Sequence, residues 1–207
     1  MIQVRNIIFD LGGVLLNIDY NATEKAFQQL GVTNFNSWFS QYNANDLFAG
    51  LETGASEEDS FISEIQSLLP SPASKSEILQ AWNAMLLDFR ISSLQYLPVL
   101  AKNYRLFLLS NTNEIHLRAF QKQYADLFPG QTLDELFEAA YYSHRIGQRK
   151  PNAGAYQYVL DRHNLLPEET LFIDDSLPNI EAAQKIGIQT IHLLPGLQIE
   201  DLMGIDN

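Results

Sequence analysis

Residues 7–15 read Ile-Ile-Phe-Asp-Leu-Gly-Gly-Val-Leu, an apolar run that delivers one carboxylate, Asp10, into a glycine turn. A short apolar run that ends at a pair of glycines is typical of a buried strand. Open α/β sheets build their sites at the carboxyl ends of such strands. Asp10 is therefore the first candidate nucleophile, although an isolated aspartate in this position more often only stabilises a turn.

The composition limits the chemistry open to this chain of 207 residues. It contains no cysteine, which excludes disulfides, thiolate metal sites and a cysteine nucleophile. Its formal net charge of -12 disfavours a nucleic-acid partner, because phosphate backbones are anionic. No apolar stretch approaches the roughly 20 residues that span a bilayer, and the first residues lack a signal-peptide pattern. We therefore expect a cytoplasmic protein without membrane association; no pattern indicates an oligomeric state.

The rest of the chain mostly alternates short apolar runs with amphipathic segments. The runs predicted as strands are residues 5–10, 105–110, 139–143, 170–174 and 188–193. Between the last four of them, helical periodicity covers residues 113–128, 151–163 and 178–186. Strands that alternate with helices predict an α/β fold with a parallel sheet covered by helices on both faces.

One long block, residues 19–97, interrupts this alternation. It has amphipathic segments at 22–30 and 56–69, a Pro- and Ser-containing loop at 70–74, and no convincing strand. We interpret it as a small all-helical cap, residues 17–97, inserted into a core made of residues 1–16 and 98–207. The aromatic residues expected to form the core of the cap are Trp38, Trp82, Phe35, Phe39, Phe48, Phe61 and Phe89.

Polar residues fall at or just after the ends of four predicted segments. They are Asp10, the pair Ser110-Asn111, Lys150, and the pair Asp174-Asp175. A phosphoryl group needs such a set: a nucleophile, donors for its oxygens, a fixed cation, and carboxylates that hold a divalent metal. One Mg²⁺ together with the lysine would balance the three carboxylates, whereas the metal-free cluster would repel phosphate. The sequence therefore predicts a metal-dependent phosphoryl site.

Each of these residues also has a simpler interpretation when it is taken alone. Asp174 and Asp175 are typical of a helix cap and a first-turn acid, and Ser110 is typical of a cap. Lys150 before a proline is typical of a solvated loop charge. Their joint occurrence, in order and each near the end of a strand, favours the site.

The segments that carry these residues resemble a known family. Phe9–Val14, Leu109–Asn113, Arg149–Pro151 and Phe172–Ile180 are similar, in order, to the four motifs of the haloacid dehalogenase-like hydrolase superfamily. The resemblance spans nearly the whole chain. It extends to the branch of small sugar-phosphate phosphatases similar to bacterial α-glucose-1-phosphate phosphatase and to the phosphatase domain of soluble epoxide hydrolases, with support from residues 51–61.

The resemblance implies a Rossmann-like core, a helical cap after the first motif, and Mg²⁺-dependent hydrolysis of a small phosphorylated metabolite, such as a sugar phosphate. Asp10 would attack phosphorus and become an aspartyl phosphate, and it would bind Mg²⁺ together with the main-chain carbonyl of Gly12. Ser110 and the backbone amide of Asn111 would hold phosphate oxygens. Lys150 would neutralise charge on the nucleophile and on the phosphoryl group.

The second acidic pair would complete the metal site under the same resemblance. We expect Asp175 to ligate the metal directly and Asp174 to bond to Lys150 or to a metal-bound water, although the sequence allows the two roles to be exchanged. Asn179 lies one helical turn further on and would orient either carboxylate.

One position departs from the pattern of this superfamily. Its phosphatases usually carry a second aspartate two residues after the nucleophile, which protonates the leaving group, and here that residue is Gly12. General acid and base help is commonly worth about 10²- to 10⁴-fold in rate. Three explanations stay open: Asp19 supplies the proton, the leaving group departs easily as an anomeric phosphate does, or the chain binds without turnover.

The sequence therefore leaves three functions open. The first is a Mg²⁺-dependent phosphatase acting on a small phosphomonoester. The second is a 2-haloacid dehalogenase, in which the aspartate attacks carbon without a metal; the paired Asp174 and Asp175 oppose it, because they would repel a carboxylate substrate. The third is a catalytically weak phosphometabolite-binding protein, for which Gly12 is the best argument.

Overall fold

The computed structural model describes residues 3–40 and 43–203. Its strands are β1 (Asn6–Phe9), β2 (Leu16–Ile18), β3 (Phe39–Ser40), β4 (Asn43–Ala44), β5 (Leu86–Phe89), β6 (Arg105–Ser110), β7 (Ala139–Tyr142), β8 (Thr170–Asp174) and β9 (Gln189–His192). Its α-helices are α1 (Tyr20–Gln29), α2 (Asp46–Thr53), α3 (Glu58–Leu68), α4 (Lys75–Asn83), α5 (Ile91–Leu100), α6 (Glu114–Leu127), α7 (Ser143–Ile146), α8 (Ala153–His163), α9 (Leu177–Lys185) and α10 (Ile199–Met203). Among these helices none combines the length and the apolar character needed to cross a bilayer.

A five-stranded parallel sheet in the order β7-β6-β1-β8-β9 forms the centre of the molecule. The central strand β1 pairs with β6 up to Phe9↔Leu108 and with β8 up to Phe9↔Ile173. The register continues for one residue, because the amide of Asp10 donates to the carbonyl of Ile173 at 2.9 Å. The carboxyl ends of β1, β6 and β8 therefore meet at one edge of the sheet, which is where the site is built.

Both faces of the sheet are buried, as the unbroken apolar runs predict. Successive residues of β1 point to opposite faces, so Ile7 and Phe9 join one hydrophobic cluster while Ile8 joins another. The first cluster includes residues of α5 and α6, and the second includes residues of α8 and α9. The α/β class and the parallel sheet are confirmed, and every predicted strand of the sheet begins and ends within one residue of the observed one.

The insertion is mainly helical. Its helices α1 to α4 pack around a third hydrophobic cluster, separate from the two on the sheet, that includes Phe27, Phe48, Phe61 and Trp82. It is not all-helical, however. The strands β3 and β4 form a short antiparallel pair, and β2 pairs with β5 where the chain leaves and re-enters the core. Strands of two to four residues are too short to show a clear alternation of apolar and polar residues, so the sequence did not indicate them.

The chain also returns to the core earlier than the predicted boundary at residue 98. Phe89, expected in the cap, packs in the cluster around the sheet, together with Leu94 and Leu97 of α5. Pro98 lies within α5 rather than at its start. Because proline disfavours the interior of a helix, Pro98 suggested a boundary in the sequence, but α5 continues through it to Leu100.

Candidate active site

Three carboxylates meet at the carboxyl edge of the sheet. Asp10 follows β1, while Asp174 ends β8 and Asp175 comes next, and each offers an oxygen within 4.8 Å of the others. Gly13 makes room for this cluster, because its φ of +73° favours glycine and a Cβ there would overlap the Asp175 carboxylate. The glycine turn after the first strand is thus required by the third carboxylate.

Lys150 lies between two of these carboxylates. Its Nζ contacts Oδ1 of Asp10 at 2.8 Å and Oδ2 of Asp174 at 2.8 Å, and the residue is only 1% exposed. Its peptide bond to Pro151 is cis. The structure therefore brings together the predicted nucleophile, the predicted cation and the predicted acidic pair.

Asp174 has no solvent exposure and is surrounded by donors. Its Oδ1 accepts from the backbone amide of Ser176 at 2.7 Å, and Nδ2 of Asn179 lies 3.2 and 3.0 Å from its two oxygens. With Lys150 on Oδ2, both oxygens are engaged by protein groups. Asn179 hydrogen-bonds to Asp174, one of the two carboxylates that the sequence allowed for it.

Asn111 holds the loop that carries Lys150. Its side-chain Nδ2 donates to the carbonyl of Lys150, and the amide of Lys150 donates to its Oδ1, both at 2.8 Å. This role of the side chain was not anticipated, because only the backbone amide of Asn111 was assigned to phosphate. Ser110, at the end of β6, is buried and lines the same cavity.

Burial and crowding of like charges change the acidity of the cluster. Burial raises the pKa of Asp10 to about 7, with Asp174 and Asp175 adding to the effect and Lys150 opposing it. Burial and the Asp174 charge raise the pKa of Asp175 to about 6. Burial disfavours the charge of Lys150, but the carboxylates of Asp10 and Asp174 outweigh it and raise the pKa of the ammonium. The cluster would be stabilised by an added cation.

The cavity above this cluster has a volume of about 150 Å³ and lies between core and insertion. The core supplies its floor, which includes Asp10, Gly12, Ser110, Lys150 and Asp175. The insertion and the strands that carry it supply the opposite wall, which includes Ile18, Tyr20, Phe39, Ser40, Glu52, Met85 and Leu86. An insertion over a site commonly sets specificity, and this placement is consistent with that role.

Two positions bear on proton transfer to the leaving group, Gly12 and Asp19. Gly12 lines the cavity, and a Cβ there would stand 3.1 Å from Cγ1 of Ile18, so a larger side chain would require Ile18 to shift. Asp19 caps α1, where its carboxylate accepts from the amide of Asn21 at 2.9 Å, and it is not among the cavity-lining residues. Asp19, one of the three explanations left open by the sequence, is thus the N-cap of α1, and its neighbour Tyr20 lines the cavity.

Several wall residues were not predicted. His116, interpreted as a surface or core histidine, is buried, with Nε2 3.1 Å from the carbonyl of Trp82, yet it also lines the cavity. Burial lowers its pKa to about 4, so it is neutral. Glu52 and Arg149 lie in quoted segments of the sequence, beside Leu51 and Lys150, but nothing in their spacing indicates that they face each other.

Comparison with known proteins begins with family models. Residues 4–187 match the model of the haloacid dehalogenase-like hydrolases. A D-ribitol-5-phosphate phosphatase of Bacteroides thetaiotaomicron is 29% identical over 189 residues, which cover 91% of each chain. A sesquiterpene phosphatase of Aspergillus oryzae is 26% identical over 197 residues, 92% of this chain and 90% of its own.

Solved structures give a similar result. A Bacteroides thetaiotaomicron enzyme of the same family, crystallised as a variant with magnesium and inorganic phosphate, has a TM-score of 0.90 at 31% identity, over 96% of this chain and 98% of its own. A predicted hydrolase of this type from Porphyromonas gingivalis has a TM-score of 0.87 at 32% identity, over 97% and 96% of the two chains. An L-2-haloacid dehalogenase of Xanthobacter autotrophicus shares the fold, with a TM-score of 0.63 at 20% identity, over 97% and 81%.

Proposed function

The chain belongs to the haloacid dehalogenase-like hydrolases, and from this we propose that it is a Mg²⁺-dependent phosphatase that hydrolyses a small phosphomonoester, a sugar phosphate or sugar-alcohol phosphate, through an aspartyl phosphate on Asp10. The observation that carries the proposal is the chain of contacts from Asp10 through Lys150 to Asp174, with Asp175 beside it, on the floor of one cavity. The two phosphatases among the similar proteins support the same class of reaction.

Asp10 is the nucleophile of the proposed reaction. One carboxylate oxygen forms a bond to phosphorus while the bond from phosphorus to the leaving oxygen breaks in line. Water then attacks phosphorus, releases inorganic phosphate and regenerates the carboxylate. Lys150 contacts Oδ1 of Asp10 at 2.8 Å and would neutralise charge on this carboxylate and on the phosphoryl oxygens. Ser110 and the amide of Asn111 would hold phosphoryl oxygens.

The donor set fits Mg²⁺, which prefers carboxylate and carbonyl oxygens. Because both oxygens of Asp174 are engaged by Lys150, Ser176 and Asn179, we assign direct ligation to Asp10, Asp175 and the carbonyl of Gly12. The ion would supply positive charge to the phosphoryl oxygens and relieve the repulsion among the three carboxylates. The sequence favoured the same roles, with Asp175 as the direct metal ligand and Asp174 bonded to Lys150.

The leaving oxygen needs a proton, and the usual aspartate is replaced by Gly12. Since Asp19 is engaged by the start of α1, solvent water or an easily released leaving group is the simplest replacement in this cavity. The proposed reaction is therefore slower than that of a phosphatase with the second aspartate, by up to about 10²- to 10⁴-fold.

The test is phosphate release from a panel of small phosphomonoesters in Mg²⁺, with the Asp10→Asn variant as the comparison. We expect wild-type turnover that Mg²⁺ stimulates and Asp10→Asn abolishes, and mass spectrometry of quenched enzyme should find the phosphoryl group on the Asp10 peptide. Equal background release from both proteins would overturn the proposal.

The same assay separates the other functions. Halide release from 2-haloacids in the presence of a chelator would favour a dehalogenase. Calorimetric binding of a phosphometabolite without any release of phosphate would favour a binding protein. Asp175→Asn should raise the Mg²⁺ concentration required for activity, whereas an effect confined to Asp174→Asn would exchange their roles.

A further inference from the structure

An ion pair joins the insertion to the core across the cavity. Oε2 of Glu52, at the end of α2, lies 2.8 Å from Nη2 of Arg149, which precedes Lys150 in the core. Both residues line the cavity, and Glu52 is only 6% exposed. The pair therefore lines the same cavity as Asp10 and Asp175, with one member from the insertion and one from the core.

Glu52 is buried, the side chain of Arg149 is 26% exposed, and the protein does not satisfy every polar atom of the pair. The attraction within a buried ion pair offsets the free energy of desolvation only when the remaining donors and acceptors also have partners. The Nε of Arg149 is shielded from solvent and has no hydrogen-bond partner within residues 3–40 and 43–203. Burial raises the pKa of Glu52, and Arg149 opposes the shift. A guanidinium with an unused donor on a cavity wall indicates that a ligand uses it.

Apolar side chains lie beside the polar ones on this cavity wall, which also includes Tyr20 and Ser40. Ile18, Phe39, Met85, Leu86 and Phe120 all line the cavity. A hydrocarbon leaving group would fill this space without offering a donor to Glu52 or an acceptor to Arg149. A leaving group with several hydroxyls would do both, since a carboxylate accepts from O–H and a guanidinium donates to hydroxyl oxygen.

We propose that Glu52 and Arg149 are the specificity-determining pair of this phosphatase and that they recognise hydroxyl groups of the leaving group, so that polyhydroxylated phosphates are preferred over alkyl phosphates. The inference rests on the proposed function. The names of the two similar phosphatases indicate two classes of leaving group, a sugar alcohol and a sesquiterpene. The inference assigns this cavity to the hydroxylated class.

The experiment compares kcat/KM, in Mg²⁺, for a five-carbon alditol phosphate and for pentyl phosphate, which has the same carbon number but no hydroxyl groups. Sites built to hydrogen-bond a substrate hydroxyl reject analogues that lack it by large factors, and we expect a wild-type ratio of at least about tenfold. Glu52→Gln and Arg149→Lys should each reduce that ratio about tenfold or more. Glu64→Gln, at an exposed position of the insertion, is the matched control and should keep the wild-type ratio.

The outcomes distinguish a failure of the proposed phosphatase function from a failure of the specificity inference. A wild-type protein that releases phosphate from neither substrate nor any other phosphomonoester contradicts the proposed function. A wild-type protein that is active but does not prefer the alditol phosphate contradicts only the specificity inference, and this comparison needs no variant to fold. Equal losses on both substrates in Glu52→Gln and Arg149→Lys would assign the pair a structural role and also overturn the inference.

Discussion

Asp174 illustrates how much one residue of the site depends on its neighbours. It is a fully buried carboxylate, and it is tolerated there because Lys150, Ser176 and Asn179 all donate to it. It binds no substrate in the proposed reaction. In that proposal its role is to hold the ammonium of Lys150, whose Nζ lies 2.8 Å from both Asp174 and Asp10.

We predict that Asp174→Asn lowers the free energy of unfolding by about 3 kcal/mol, because a buried cation loses one of its two carboxylates. Urea denaturation measures the change. The control is Asp126→Asn, which removes the carboxylate of an exposed ion pair with Lys122 and should cost less than about 1 kcal/mol. Equal costs for the two variants would show that Lys150 does not depend on Asp174.

Asn111 offers a second prediction at this scale. Asn111→Ala leaves the amide and the carbonyl of Lys150 without their present partners, so we expect a stability loss of about 2 kcal/mol. Displacement of the lysine should also lower kcat about tenfold or more, because small errors in position are costly in catalysis. Denaturation and steady-state kinetics measure the two effects, with the exposed Asn103→Ala as control. Unchanged kcat would mean that the loop is held by other groups.

At the scale of elements, the contact between α2 of the insertion and α7 of the core fixes the cavity walls. Gly54, the residue after α2, has a φ of +72°, and a Cβ there would overlap the backbone carbonyl of His144 in α7. The end of α2 can therefore approach the core closely only because this residue is glycine.

We predict that Gly54→Ala destabilises the protein by more than Gly130→Ala, by about 1 kcal/mol or more. Gly130 has a φ of +81° but would place a Cβ in open space, so the control carries the same backbone cost without the overlap. Thermal and urea unfolding compare them. Gly54→Ala should also raise KM, since α2 carries Glu52. Similar destabilisation and unchanged KM in both variants would contradict a close α2–α7 contact.

Length decides which elements can be predicted from the sequence. The strands of the sheet and the helix at 113–128 show several periods of their pattern, and the structure confirms them within about a residue. The pairs β2–β5 and β3–β4 are held by antiparallel pairing between short segments that are far apart or poorly patterned, so no local signal reveals them.

The residues of the site also differ in whether the sequence could predict their position. Asp10, Ser110 and the pair at 174–175 follow or end strands whose order the topology fixes, so their meeting was predictable. Lys150 instead follows α7, which separates it from β7. Glu52 and Tyr20 reach the cavity only because the insertion folds over the sheet, and that packing depends on side-chain contacts across the whole chain. The sequence also could not show that Asp19 would be engaged by its own helix.

At the scale of the whole molecule, metal binding should couple to stability in a pH-dependent way. In the metal-free protein the pKa values of Asp10 and Asp175 are about 7 and about 6, above the usual value near 3.8. The folded state thus holds more protons than the unfolded state between about pH 4 and 7, and these groups lower stability as pH rises through that range. Mg²⁺ binds the ionised forms, so it restores stability mainly at the upper end.

We predict that the rise in Tm caused by Mg²⁺, relative to a chelator, is small at pH 5 and grows through pH 6 and 7. At a concentration about 100 times its Kd, Mg²⁺ should add about 2.7 kcal/mol at pH 8. All other titrating groups are the same with Mg²⁺ and with the chelator. The difference between the two Tm values therefore measures the effect of the metal site alone. Asp175→Asn should abolish it, while Asp126→Asn should retain it. A rise that does not vary between pH 5 and 8 would contradict the assignment.

The pairing of β2 with β5 determines how the insertion is attached. Leu16 lies opposite Phe89 and Ile18 opposite Leu86, so the outgoing and returning segments run side by side as a narrow two-stranded stem. A module on such a stem can be exchanged as a cassette: a short turn across the stem, or a different domain, would leave the path of the parallel strands unaltered. Under the proposed function, the part of leaving-group selection that the insertion supplies could then change while Arg149 and the core residues that transfer phosphorus stay in place.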